Sequence, residues 1–185
     1  MIQDNKTPLC GIDEAGRGCI AGSLVIAGVV LTAKIEGLMD SKKLSEKKRE
    51  ILFPQIIENS KYHIVSFSPQ EVDDLGISKC LQQGLLRIQE HIQDVDYLFD
   101  GNTTFGVSNI TTMVKADVKI AEVSAASILA KVTRDREIIA LSRVYPQYSF
   151  EKHKGYGTKM HIEALVQYGR CPIHRETFKI KSLDY

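Results

Sequence analysis

Leu9-Cys10-Gly11-Ile12-Asp13-Glu14-Ala15-Gly16-Arg17-Gly18, followed by Ser23-Leu24-Val25-Ile26-Ala27-Gly28-Val29-Val30-Leu31-Thr32, is the stretch that sets the architecture. The first apolar entry runs into two acids and a glycine-rich turn. The second run is short, rich in Val, Ile and Leu, and bounded by glycines, so it reads as a buried strand and not a helix. Together they predict an early hairpin with Asp13 and Glu14 where the first strand ends.

Outward from the hairpin, strands and helices alternate. Ser45 is placed to N-cap a helix running toward Ile57, which Pro54 is expected to kink or end. Tyr62 to Phe67 alternates as a third strand. Pro69 opens a short helix that stops near Gly76. Ile77, Leu81, Leu85, Ile88 and Ile92 form a helical stripe. Val95 to Phe99 reads as a strand ending on Asp100-Gly101, and Ile110 to Val114 as another, ending near Asp117. A helix from Ser124 to about Leu141, opened by Ser-Ala-Ala-Ser, and a last one from Lys159 to Tyr168 complete the set. An antiparallel start followed by alternating elements points to a mixed-sheet α/β or α+β fold.

At 185 residues, 43% apolar and 25% charged, the chain is expected to be a single domain over residues 1–185. The longest strongly apolar run, Leu24 to Leu31, is far shorter than the roughly 20 residues of a membrane span. The polar start, Met1 to Lys6, has no signal-peptide pattern, so the expected location is cytoplasmic, with no membrane partner. Cys10, Cys19, Cys80 and Cys171 lack C-x-x-C spacing and read as free thiols, mostly buried. The net charge of +1 hides an asymmetry. Residues 152–181 hold seven Lys or Arg against two acids, +5, while the rest of the chain carries −4. A basic end on an acidic body suits a polyanionic partner, although a solvated charged face explains it equally well.

The acids at strand ends carry the chemistry. Asp13 and Glu14, Asp100 and Asp117 each follow an apolar strand. Such acids gathered at one sheet edge would repel one another, and divalent cations relieve that repulsion while gaining oxygen ligands. A two-metal phosphoryl-transfer site has this form, with carboxylates holding ions about 4 Å apart. Taken singly, each acid is also an ordinary turn or cap residue. Gly16-Arg17-Gly18 lets a ligand approach backbone N–H donors closely, or is a tight turn alone. Lys42 and Lys43, in Asp40-Ser41-Lys42-Lys43-Leu44, oppose a helix dipole unless an anion sits between them, or lie on an exposed turn. Ser124, Ser127, Lys131 and Arg134 recur on one helix face, where the first turn offers N–H groups to a phosphate. Tyr156, in His153-Lys154-Gly155-Tyr156-Gly157-Thr158-Lys159, is flanked by glycines and bases, a setting for stacking on a sugar or base.

These motifs occur in one order: Gly11 to Gly18, Asp40 to Leu44, Phe99-Asp100-Gly101-Asn102, Lys115-Ala116-Asp117, Ser124 to Asp135, and His153 to Lys159. In this combination the chain resembles the type 2 ribonuclease H family, ribonuclease HII, over about residues 8 to 178. The resemblance implies an α/β ribonuclease H-like fold, a mixed five-stranded sheet flanked by helices. It implies an endonuclease that cuts the RNA strand of RNA–DNA hybrids and incises 5′ of single ribonucleotides in duplex DNA, leaving 3′-hydroxyl and 5′-phosphate ends. It assigns Asp13, Glu14, Asp100 and Asp117 as catalytic, metal-binding acids for Mn2+ or Mg2+. It assigns Gly16, Arg17 and Gly18 to sensing the 2′-hydroxyl, Tyr156 to packing on the following deoxyribose, and Lys42, Lys43, Ser124 and Lys131 to substrate contacts. RNA–DNA hybrid and ribonucleotide-containing duplex DNA are the expected partners, and the chain is expected to act as a monomer. Two positions depart from the family pattern. Ala116 stands where glycine is usual before the fourth acid, and Arg170 interrupts a usual Gly-Pro after the last helix. A DNA junction nuclease on the same scaffold and a non-catalytic hybrid-binding module are the alternatives.

Overall fold

The structure, a computed structural model, describes residues 7–38 and 44–180. Asp40 to Lys43, and with them the expected phosphate contacts Lys42 and Lys43, lie outside the described residues. The elements run β1 (Leu9–Ala15), β2 (Leu24–Leu31), α1 (Glu46–Glu58), β3 (Ser60–Phe67), α2 (Pro69–Leu75), α3 (Ile77–His91), β4 (Asp96–Asp100), β5 (Ile110–Met113), a 3-10 turn (Ala116–Val118), α4 (Ala121–Ser142), a second 3-10 turn (Pro146–Tyr148), α5 (Phe150–His153) and α6 (Lys159–Tyr168). The sheet order is β3-β2-β1-β4-β5. β1 pairs antiparallel with β2, and β2 with β3, while β1–β4 and β4–β5 are parallel. The mixed five-stranded sheet matches the expectation from sequence.

β2 explains why helices cover both faces. Successive side chains of a strand point to opposite sides, and nearly all of β2 is buried. Leu24 and Ile26 enter one core with Phe67, Leu81, Leu85 and Ile88, under α2 and α3. Val25, Ala27 and Val29 enter the other with Leu52, Ile56, Ala125, Ile128 and Leu129, under α1 and α4. Each Val, Leu, Ile or Phe among these contributes roughly 1.5–3 kcal/mol on burial. A third cluster joins Ile20 and Ala21 to Ile138, Tyr148, Phe150 and Leu165, tying the C-terminal elements to the loop after β1.

One expectation is met and one is corrected here. α1 runs toward Ile57 as expected and ends at Glu58, with Pro54 inside it. Proline removes one backbone bond, but buried Leu52 and Ile56, one on each side of it, anchor the helix across the gap, and Ser45 caps its start. α4 begins at Ala121, three residues before Ser124, with Ile120 as its N-cap residue. The Ser124 N–H is therefore already bonded to the Ile120 carbonyl, at 2.9 Å, and is not a free N-terminal donor.

β1 meets the start of α4 backbone to backbone at Gly11. A Cβ built on Gly11 would stand 2.3 Å from both the Glu122 carbonyl carbon and the Val123 nitrogen, backbone that cannot yield locally. Gly11→Ala is therefore expected to push α4 off the sheet and to lower unfolding stability by about 1–3 kcal/mol, measured as the shift of a urea or thermal unfolding midpoint.

Candidate active site

Register brings the acids together. Ile12 lies opposite Phe99 on the parallel pair β1–β4, so the next residues, Asp13 within β1 and Asp100 at the end of β4, stand side by side; β1 runs on past the expected end at its two acids to Ala15. Ile12 and Phe99 face the α3 side, and alternation turns Asp13 and Asp100 toward α4. Asp117 arrives from the far edge. β5 ends at Met113, Lys115 takes a left-handed conformation (φ 60°), and the chain turns into the short 3-10 segment that carries Asp117. One carboxylate oxygen each from Asp13, Asp100 and Asp117 lies within 4.8 Å of the others. Asp13 and Asp117 are buried and Asp100 half-buried.

Backbone and side-chain donors hold the carboxylates in place. Asp13 accepts the Glu14 N–H at 2.8 Å and is also hydrogen-bonded by the Ser127 side chain from α4. Asp100 accepts the Ala116 N–H at 3.0 Å. The departure at Ala116 is thereby accounted for. The position is fully buried against Leu98 and Val123, its contribution to the site is a backbone N–H, and the left-handed residue of this turn is Lys115. Burial first, then the charges of Glu14 and Asp100, push the Asp13 carboxyl well above its ordinary range. Burial also raises Glu14, opposed by the Arg17 guanidinium.

Glu14 stands apart from the trio. One oxygen meets Arg17 Nη1 at 3.3 Å, while Oε2 is buried without a hydrogen-bond partner. Arg17 in turn lies over the Phe105 ring, 5.4 Å from its centroid. An all-oxygen donor set, raised carboxyls and an orphaned carboxylate oxygen beside the trio are what hard divalent cations accept. These four acids fit such ions.

A groove of about 360 Å³ opens beside Glu14, lined by Ala15, Gly16, Arg17, Gly18, Arg49, Ser127, Lys131 and Tyr156. A larger hollow of about 740 Å³ lies at the opposite end of the strands, around Pro8, Tyr62 and His91, with one acid, Asp94, and no convergent donor set. Gly16 has φ 95°, and a Cβ there would meet Arg134 Nε and the Ser23 carbonyl at 2.4 Å, so this glycine is required by the fold. At Gly18 a Cβ would meet nothing within 4 Å. Two buried guanidiniums hold the loop from below. Arg134 donates to the carbonyls of Ser23, Ala21 and Lys154 at 2.8–3.1 Å. Arg175 donates to Gly22 and Ser23 at 2.9–3.1 Å and reaches the Arg17 carbonyl at 3.5 Å. Because a trans peptide sets its C=O and N–H in opposite directions, an inward Arg17 carbonyl turns the Gly18 N–H outward.

Tyr156 is 41% exposed on the groove wall, with Lys131 Nζ 5.2 Å and the Arg134 guanidinium 5.6 Å from its ring centroid. Lys131 also pairs with Asp135 at 2.9 Å. Other expected contacts are not on the surface. Ser124 is fully buried and its hydroxyl donates to the Leu38 carbonyl, so it packs α4 against the chain and touches no substrate. The basic C-terminal face is also smaller than its charge count implies. Arg175 is inside the protein, and Arg170 folds back onto the carbonyls of Arg175 and Phe178. Arg49 on the groove wall was missed by sequence reading, since nothing in the sequence of α1 sets it apart from its basic neighbours. The cysteines are free thiols, with Cys10, Cys19 and Cys80 buried. Among the described residues no helix is long and apolar enough to cross a membrane.

A sheet in this order, with acids on its central parallel strands beside a basic groove, is the architecture of the ribonuclease H class of hydrolases. A ribonuclease H2 crystal structure from Pyrococcus horikoshii OT3 superimposes with a TM-score of 0.78 at 30% identity, covering 92% of this chain and 93% of that one. The ribonuclease HII of a PCNA complex from Archaeoglobus fulgidus gives 0.75 at 28% identity, covering 94% and 96%. A ribonuclease HII of Sulfurovum sp. (strain NBC37-1) is 67% identical over 183 residues, 99% of this chain and 97% of its own. Residues 10–181 match the family described as Ribonuclease HII. The chain belongs to the ribonuclease HII family: it is a type 2 ribonuclease H, a divalent-metal-dependent endonuclease acting on RNA–DNA hybrids.

Cation binding to repelling carboxylates stabilises the folded state alone. Saturating Mn2+ or Mg2+ at about a hundred times its dissociation constant is expected to add about 2.7 kcal/mol. That appears as a rise in Tm over protein in chelator. Asp13→Asn is expected to raise Tm in chelator, by removing one of the repelling charges, and to shrink the metal-induced rise.

Proposed function

We propose that this enzyme incises duplex DNA on the 5′ side of a single embedded ribonucleotide, as well as cutting the RNA strand of longer hybrids, and leaves 3′-hydroxyl and 5′-phosphate ends. The observation that carries the reading is the convergence of Asp13, Asp100 and Asp117 beside a groove walled by Gly16-Arg17-Gly18, Lys131 and Tyr156. In this reading Asp13, Glu14, Asp100 and Asp117 hold two ions, Mg2+ or Mn2+. When bound, such ions activate water for in-line attack on phosphorus and stabilise the leaving 3′-oxygen.

The protein's own residues do the rest. Ser127 and the Ala116 N–H hold Asp13 and Asp100 in their orientations. The outward N–H of Gly18, with Gly16 and Arg17, meets the ribose 2′-hydroxyl, the group that separates RNA from DNA at one position. Lys131 supplies a cation for backbone phosphate, and the Tyr156 ring packs on the deoxyribose that follows, so an RNA–DNA junction is preferred. Lys42 and Lys43 belong to the same reading as phosphate contacts. Exposed bases give sequence-independent, salt-sensitive affinity. The domain is taken as one unit over residues 1–185, acting as a monomer in the cytoplasm.

The test is cleavage of duplex DNA carrying one ribonucleotide, with and without divalent metal. Metal-dependent incision 5′ of the ribonucleotide is expected. Asp13→Asn is expected to abolish cutting while hybrid binding persists, and near wild-type cutting would remove Asp13 from the ligand set. Gly18→Ala separates recognition from folding. The open space at this position predicts a stability change within about 0.5 kcal/mol. The added methyl keeps the N–H but fills the space the ribose enters, so cleavage at single ribonucleotides should nonetheless fall by about tenfold, as when that hydrogen bond is blocked. Unchanged kcat/KM in this variant would dismiss the loop as a 2′-hydroxyl sensor.

A further inference from the structure

Three buried histidines near the C-terminus, His153, His161 and His174, have no part in the chemistry above. Their contacts form a directed chain that ends on Tyr156. The Cys171 N–H donates to His174 Nδ1 at 2.9 Å, so that nitrogen is an acceptor. The Cys171 carbonyl, 3.2 Å from the same nitrogen, already accepts the His174 backbone N–H at 2.9 Å. The His174 proton therefore sits on Nε2, which faces His161 Nε2 at 3.0 Å. At the other side of that ring, His161 Nδ1 lies 2.9 Å from the Tyr156 carbonyl, a group that can only accept. With both rings neutral, the Cys171 N–H, which makes His174 Nδ1 an acceptor beside Cys171 Sγ at 3.1 Å, leaves one arrangement for the rest of the chain: His174 Nε2–H to His161 Nε2, and His161 Nδ1–H to the Tyr156 carbonyl. Burial supplies that neutrality, lowering both rings to about 4.

The peptide groups around Tyr156 are held from other sides as well. The Tyr156 N–H donates to the His153 carbonyl at 2.9 Å, and its carbonyl also accepts the Thr158 N–H at 2.8 Å. His153 stacks on His161, 4.2 Å between ring centroids, with its Nε2 toward the Tyr148 carbonyl at 2.7 Å and its Nδ1 accepting the Gly155 N–H at 3.3 Å. A buried imidazole that merely filled space would be replaceable by a phenyl ring. Here every ring nitrogen is matched to a group of the opposite kind, and the chain terminates on the backbone of the groove tyrosine.

We propose that His161, with its proton fixed on Nδ1 by His174, is a positioning residue that aims the Tyr156 ring into the groove and so sets the preference for RNA–DNA junctions over continuous hybrid. The inference rests on the reading of Tyr156 as the residue that packs on the deoxyribose.

The test compares His161→Asn with His161→Gln. The Asn amide nitrogen takes the place of Nδ1 and keeps the donor to Tyr156, whereas the Gln amide reaches only the Nε2 position. The quantity read is the ratio of kcat/KM on single-ribonucleotide duplex to that on a long RNA–DNA hybrid. His161→Asn is expected to keep the ratio. His161→Gln is expected to lower it about tenfold, as one buried hydrogen bond would, with little further loss when Tyr156→Ala is added. Equal ratios in the two His161 variants, alongside a lowered ratio in Tyr156→Ala alone, would overturn the positioning role and leave the tyrosine reading intact. An unchanged ratio in Tyr156→Ala would bring down the tyrosine reading itself. Nitrogen-15 NMR of the unaltered protein at neutral pH is independent of any variant's folding. It is expected to report Nδ1–H for His161 and Nε2–H for His174, and the reverse assignment for His161 ends the proposal.

Discussion

Three carboxylates confined within 4.8 Å of one another, two of them buried, are the constraint that the rest of the protein is built to withstand. At an effective dielectric of 20, two unit charges at that distance repel by about 3.5 kcal/mol. A serine hydroxyl from α4, two backbone N–H groups and one arginine on Glu14 are among the contacts that reach these acids. The fold also makes separation difficult. Asp13 and Asp100 stand on hydrogen-bonded neighbouring strands, and α4 is pressed onto β1 at Gly11 with no room for a side chain. The frustration is concentrated where cations would remove it.

The groove wall is built by the opposite choice, positive charge placed inside. Arg134 and Arg175 are both fully buried and spend their donors chiefly on main-chain carbonyls. Burial lowers even the Arg175 guanidinium to about 10. Two guanidiniums gather the carbonyls of the loop after β1 on one side, and the planar Arg17–Gly18 peptide then turns the Gly18 N–H to the other. A loop rich in glycine would otherwise be free to move, so this part of the groove owes its shape to residues more than a hundred positions away in the chain.

That distance is why the sequence was legible in some places and not in others. The sheet could be read because β2 is buried on both faces and its apolar run is continuous. The acids could be read because each lies at or just beyond the end of an apolar stretch, which is a local feature, although β1 itself continues through Asp13 and Glu14 to Ala15. What failed was judgement of facing. Ser124 and Arg134 share a helical face with Ser127 and Lys131 by spacing alone, yet the first pair is sealed inside and the second opens to the groove. Helical periodicity says which residues lie together but not which neighbour covers them. Arg175 was counted as surface charge for the same reason, and the helix start at Ala121 was missed because Ile120 offers no side-chain cap.

The loop between β1 and β2 is closed by partners at Gly155, Ile173 and Arg175, about 150 residues later. A ribosome making this chain releases the strands and their acids long before those partners emerge from its exit tunnel. Domains begin to fold during synthesis, but contacts this distant in sequence form last. The wall beside the acids is therefore completed only by contacts with elements synthesised well after the strands that carry the acids.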